Sequence, residues 1–116
     1  MTRRTERIND LLREEISDLL RRGMKDPRLG GLITITEVDV SPDLRMAKVY
    51  VSVMGTLEEK ASTFKALRAA SRFLQRELLR RITIRRMPEL SFLPDDSMER
   101  GARILELLDK TQEPGG

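Results

Sequence analysis

Two short β-rich runs constrain this chain more than anything else in it. The second, Ala47-Lys48-Val49-Tyr50-Val51-Ser52-Val53, alternates without a break. Ala47, Val49, Val51 and Val53 share one face, with Lys48, Tyr50 and Ser52 on the other, the pattern of a strand buried on one side. The first run, Ile33-Thr34-Ile35-Thr36-Glu37-Val38-Asp39-Val40, alternates less cleanly. Its apolar residues fall at Ile33 and Ile35, then at Val38 and Val40. A strict period of two cannot bring all four to one face, so a bulge is expected near Thr36-Glu37. Between the runs, Ser41-Pro42-Asp43-Leu44-Arg45 has the Pro and Asp of a turn. The runs therefore pair as an antiparallel hairpin with one apolar face to be covered.

The flanking segments supply the cover. Over Arg3 to Arg22, Ile8, Leu11, Leu12, Ile16, Leu19 and Leu20 recur at helical spacing among charges. Gly23 reads as a stop, Asp26-Pro27 marks a turn, and Gly30-Gly31 releases the chain into the first strand. After the hairpin, Thr56 and Glu59 have the spacing of a capping box, and helical pattern continues to about Arg81. Ile82-Thr83-Ile84 is short and extended in character. Pro88 leads into Glu89-Leu90-Ser91-Phe92-Leu93, a third strand with the proline at its start, where a missing N–H is tolerated. Pro94-Asp95-Asp96-Ser97 reads as a turn and helix cap, followed by a last helix from Met98 to Lys110 carrying Ile104, Leu105 and Leu108. The expected class is α+β, helices on a three-stranded sheet, with residues 1–110 one domain and 111–116 a flexible tail.

Composition narrows the chemistry. In 116 residues there are no cysteines and no histidines. Disulfides, thiolate metal sites, and Ser/His/Asp or Cys/His catalytic sets are thereby excluded. The carboxylate pair Asp95-Asp96 precedes a helix, where acids cap N–H groups, and is read as a cap before a metal site. Gly30-Gly31 lacks the Lys-Ser/Thr of a phosphate loop. Met24, Met46, Met54, Met87 and Met98 are read as core or rim fillers. Neither an enzyme nor a cofactor nor a metal is expected. No apolar run approaches the ~20 residues of a membrane span, and the N-terminus leads into a charged helix. A cytoplasmic monomer is the expectation.

Charge gives the functional signal. From Lys60 to Arg86 there are nine basic residues against the single acid Glu77, a segment of +8 on a remainder of −5. On a helical wheel Lys65, Arg68, Arg72, Arg76 and Arg80 all share one face, with Arg72 and Arg76 flanking its centre and Arg68 and Arg80 at its edges. Leu67, Ala70, Leu74 and Leu78 fall on the opposite face. Five cations thus line one side, and Arg81, Arg85 and Arg86 extend the patch. Such a stripe suits a polyanion, and the fork of arginine suits phosphate oxygens. With one Tyr, three Phe and no Trp, base stacking has few rings to draw on, so contacts to the nucleic-acid backbone are expected. An adaptor that presents the same basic helix to an acidic protein, without direct RNA contact, is the alternative.

Several stretches together resemble the ribosome-binding factor A family of bacteria. They are Met24-Lys25-Asp26-Pro27-Arg28-Leu29-Gly30, the run from Ile33 through Ser41-Pro42-Asp43-Leu44-Arg45 to Gly55, Arg86-Met87-Pro88-Glu89-Leu90-Ser91-Phe92, the Asp96-Ser97 turn, and Arg103-Ile104-Leu105-Glu106-Leu107-Leu108. They occur in order from about Arg4 to Leu108. The resemblance implies a single KH-like domain of type II, with two helices meeting at a kink. It implies a non-enzymatic factor that binds the immature 30S small subunit and its 16S rRNA, assists late rRNA processing, supports growth in the cold, and is linked to assembly GTPases such as Era. At the kink the family carries Ala-x-Gly, and this chain has Ala70-Ser71-Arg72. Arginine favours helix where glycine would free the backbone. Either the kink is milder here, or Ser71 breaks the helix through its own side chain.

Overall fold

The computed structural model describes residues 3–22 and 33–95. The expected stop at Gly23, the turns at Asp26-Pro27, Gly30-Gly31 and Asp96-Ser97, the last helix from Met98 and the 111–116 tail lie outside them. So do Met24 and Met98.

The described elements run α1 (Arg3–Arg22), β1 (Ile33–Val40), β2 (Met46–Val53), α2 (Leu57–Ala69), α3 (Ser71–Arg81) and β3 (Glu89–Pro94). They form the α+β arrangement of helices on a three-stranded sheet, in the order β1-β2-β3. The expected bulge is present. β1 pairs antiparallel with β2, Ile35 opposite Val51 and Glu37 opposite Tyr50, so that Thr36 is the extra residue. Beyond it Val38 faces Val49 and Val40 faces Ala47. The bulge returns Val38 and Val40 to the face of Ile35, and all three are buried with Ala47, Val49, Val51 and Val53, while Ile33 packs at the edge of the cluster.

Thr36 is put to use. Its hydroxyl lies 2.5 Å from Asp95 Oδ2 and 3.2 Å from the Tyr50 carbonyl oxygen. The Asp95 N–H donates to the Val51 carbonyl at 2.8 Å. Asp95, expected as part of a helix cap, therefore fastens the end of β3 to both other strands.

β3 pairs parallel with β2, Met46 beside Glu89 and Val49 beside Phe92. A parallel pair needs a crossover connection, which α2 and α3 provide. Leu12, Ile16 and Leu19 of α1, and Leu67, Leu74 and Leu78 of the crossover, complete the core. Leu11, expected on the apolar face of α1, is 39% exposed, at the edge of that stripe. Asn9 accounts for a buried polar group: its Oδ1 accepts from the Val40 N–H at 2.8 Å, fixing the start of α1 against the end of β1.

The capping box of α2 is complete, with the Glu59 N–H donating to Thr56 Oγ1 at 3.1 Å and the Thr56 N–H to Glu59 Oε1 at 3.3 Å. The helix then breaks at one residue. Ala70 adopts φ −86° and ψ −3°, which any residue can reach, and no side-chain cap closes the start of α3. The break thus needs neither a glycine nor a hydrogen bond from Ser71. The Ala70 N–H reaches both Ala66 O and Leu67 O, the tightened last turn of a helix end.

Candidate nucleic-acid interface

The cations of α2 and α3 all reach solvent, but the fold divides them. Arg68 and Arg72 stand on either side of the Ala70 break and line a groove of about 710 Å³. Its other wall comes from two segments that the helical wheel does not contain. Arg45 enters from the β1–β2 turn, and Arg86 and Glu89 from the lead into β3, with Gln75 on α3 between the walls. Four arginines from three separate parts of the chain thus converge where the stripe alone supplied two. Ala69 and Ser71 line the groove beside the break, while Ala70 lies half-buried between them.

Backbone pairing builds this wall. The Glu89 N–H donates to the Arg45 carbonyl at 2.9 Å, and Gln75 Nε2 donates to the Pro88 carbonyl at 2.9 Å. The first bond ties the turn to β3 and the second ties α3 to the same strand. Arg68 is oriented in turn: its guanidinium lies 5.6 Å from the centre of the Phe64 ring and donates to the Phe92 carbonyl at 3.5 Å. Cation–π contact of this kind holds a charge over a fixed spot while leaving it half-solvated.

Lys65, Arg76, Arg80 and Arg85 are exposed and stand outside the groove lining. Arg80 has a loose partner in Glu77 at 3.8 Å. Arg81 is turned the other way. Its Nη1 lies 2.7 Å from Asp18 Oδ2 and 3.2 Å from Glu15 Oε2, locking the end of α3 to α1. The Arg81 hydrogen bond, reinforced by Arg22 and Arg21, holds the Asp18 carboxyl below its usual range, against a smaller upward push from burial.

That pair gives the first expected result. A carboxyl whose folded pKa is depressed adds stability above its unfolded pKa and loses it as pH falls through the folded value. The Asp18–Arg81 contribution is therefore intact above about pH 4 and disappears below it. Arg81→Ala should lower the melting temperature modestly at pH 7 and make it less sensitive to acid between pH 5 and pH 2, read by circular dichroism.

Wheel arithmetic missed Arg45, Gln75 and Glu89. The strands were legible, but the parallel pairing of β2 with β3 was not, and that pairing places Arg45 beside Glu89. Among the described residues no group of His, Cys, Asp and Glu has the geometry to hold a metal ion, and no helix is long and apolar enough to cross a membrane.

The sequence model of ribosome-binding factor A matches residues 4–108. This chain belongs to the ribosome-binding factor A family. A ribosome-binding factor A of Acetivibrio thermocellus is 52% identical over 108 residues, covering 93% of this chain and 88% of the relative. One from Gloeothece citriformis is 47% identical over 112 residues, covering 96% and 86%. The crystal structure of ribosome-binding factor A from Thermus thermophilus superposes with a TM-score of 0.69 at 32% identity, over 78% of this chain and 94% of that one. A homology model of the Thermus thermophilus factor, fitted into a cryo-EM map of a complex of the 30S subunit with ribosome-binding factor A, matches with a TM-score of 0.62 at 30% identity, over 76% of this chain and 91% of that one. The fold is accordingly the KH-like fold of ribosome-binding factor A, and the groove lies where its two crossover helices meet.

Proposed function

We propose that this protein is a small-subunit assembly factor that binds the immature 30S subunit through its 16S rRNA. The observation that carries the reading is the convergence of Arg45, Arg68, Arg72 and Arg86 on one groove at the α2–α3 break. Such a concentration of forked cations suits phosphodiester oxygens, and exposed Lys65, Arg76, Arg80 and Arg85 extend the field around it. The fit of the Thermus relative to a 30S complex supports the same partner. On this reading the protein acts as a cytoplasmic monomer without catalysis of its own. It assists late 16S rRNA processing, sustains growth in the cold, and works alongside assembly GTPases such as Era.

The test is sedimentation. The protein should travel with free and immature small subunits through a gradient at moderate salt and be absent from translating ribosomes. Equal occupancy of assembled ribosomes, or no occupancy of small subunits, would count against it. Because phosphate contacts release counterions, binding should weaken steeply as salt rises.

A further inference from the structure

We infer that the β1–β2 turn is a preformed arm that holds Arg45 at the groove, so that Arg45 binds RNA backbone phosphate together with Arg68, Arg72 and Arg86. The inference rests on the RNA-binding reading above and adds to it a recognition residue and a positioning residue.

The turn is held more firmly than an exposed five-residue connection requires. Leu44 has φ +60°, in the left-handed region that side-chain-bearing residues seldom occupy. Its side chain packs against the core cluster. Around it runs a closed set of hydrogen bonds. Ser41 Oγ donates to Asp43 Oδ1 at 2.7 Å, the Arg45 N–H donates to the same oxygen at 3.1 Å, and the Met46 N–H donates to Ser41 Oγ at 3.1 Å. The Leu44 N–H donates to the Ser41 carbonyl and the Ser41 N–H to the Met46 carbonyl, while the Arg45 carbonyl accepts from Glu89. A strained residue persists only where its surroundings over-determine it, and such residues gather at ligand clamps. Here the strain and the bonds fix the backbone of Arg45, the one groove arginine that does not come from the crossover or from the segment leading into β3. Prepaid order of this kind raises affinity by reducing what binding must still immobilise.

No aromatic ring lines the groove, so what its arginines can hold is backbone phosphate, and base sequence is not read.

The experiment measures fluorescence anisotropy of a mixed-sequence single-stranded oligoribonucleotide, for wild type and three variants, with a melt of each variant. Arg45→Ala should weaken binding by about fivefold and flatten the slope of log affinity against log salt by about 0.7. Asp43 separates positioning from charge. Asp43→Ala removes an acid whose Oδ2 lies 4.0 Å from Arg45 Nε, so release of that charge alone would tighten binding, whereas loss of the cage should weaken it severalfold. Asp43→Asn keeps the Oδ1 acceptor and should bind at least as tightly as wild type. Tighter binding by Asp43→Ala, or Asn as weak as Ala, would overturn the positioning role. Unchanged binding by Arg45→Ala would overturn the role of the arm while leaving the small-subunit reading intact. That reading fails separately, if wild type does not sediment with small subunits.

Discussion

Val38→Asp is expected to abolish the folded state at room temperature. Val38 is 3% exposed, directly opposite Val49 and in the core cluster with Ile35 and Val40. The substitution forfeits roughly 1.5–3 kcal/mol of apolar burial. It also buries a carboxyl with no partner, which costs roughly 2–7 kcal/mol even when the group escapes ionisation by taking up a proton. The sum reaches the ~5–15 kcal/mol by which domains are ordinarily stable. The neighbouring Glu37→Ala should be nearly silent, because Glu37 is exposed and faces away from the core. The pair tests the bulge directly. With unbroken pairing through Thr36, Glu37 would point into the core and Val38 out of it, and the two effects would exchange. A thermal melt by far-ultraviolet circular dichroism decides between them; a Val38→Asp variant that melts like wild type would overturn the register.

The bulge shows what the sequence carries plainly. Alternation in β2 and its phase slip in β1 are local patterns, each with a physical consequence within a few residues, and so are the Thr56–Glu59 capping box and the apolar stripe of Leu67, Leu74 and Leu78. The groove is another matter. Arg72 was legible because helical spacing lines it up with Arg68 and Arg76. Arg45 and Glu89 were not, because they meet through a parallel strand pair separated by the whole crossover, and no local period encodes that distance. Arg81 illustrates the same limit from the other side. By spacing it extends the patch, yet acids on α1, more than sixty residues earlier, claim its guanidinium. The helix break was legible as a place but not as a mechanism. Ala70 turns with ordinary dihedral angles, and the departure from Ala-x-Gly at Arg72 leaves the break in place while adding a cation to its edge.

Paired removal of groove arginines should weaken small-subunit binding more than removal of any other pair on the helical face. Arg72→Ala with Arg86→Ala takes one cation from each wall, leaving Arg45 and Arg68 to hold the phosphates alone. At roughly 1 kcal/mol for each charged contact the loss is about thirtyfold. The salt slope should fall by about 1.4 for single-stranded contacts. The comparison pair, Arg76→Ala with Arg80→Ala, removes the same formal charge from the exposed stripe outside the groove. It should cost only a few-fold, since scattered surface charge acts through a screened field. Stability should hold in both, because alanine carries no helix penalty and all four side chains are exposed. Arg68 is left out of the comparison, since its contacts to Phe64 and Phe92 would mix folding with binding. Arg72→Gly then separates side chain from backbone. If the guanidinium binds phosphate, glycine should weaken binding as alanine does; if the break binds through its backbone, glycine should bind as well as arginine or better. Equal losses from the two arginine pairs would mean that net charge governs association and that the groove has no special claim on the strand.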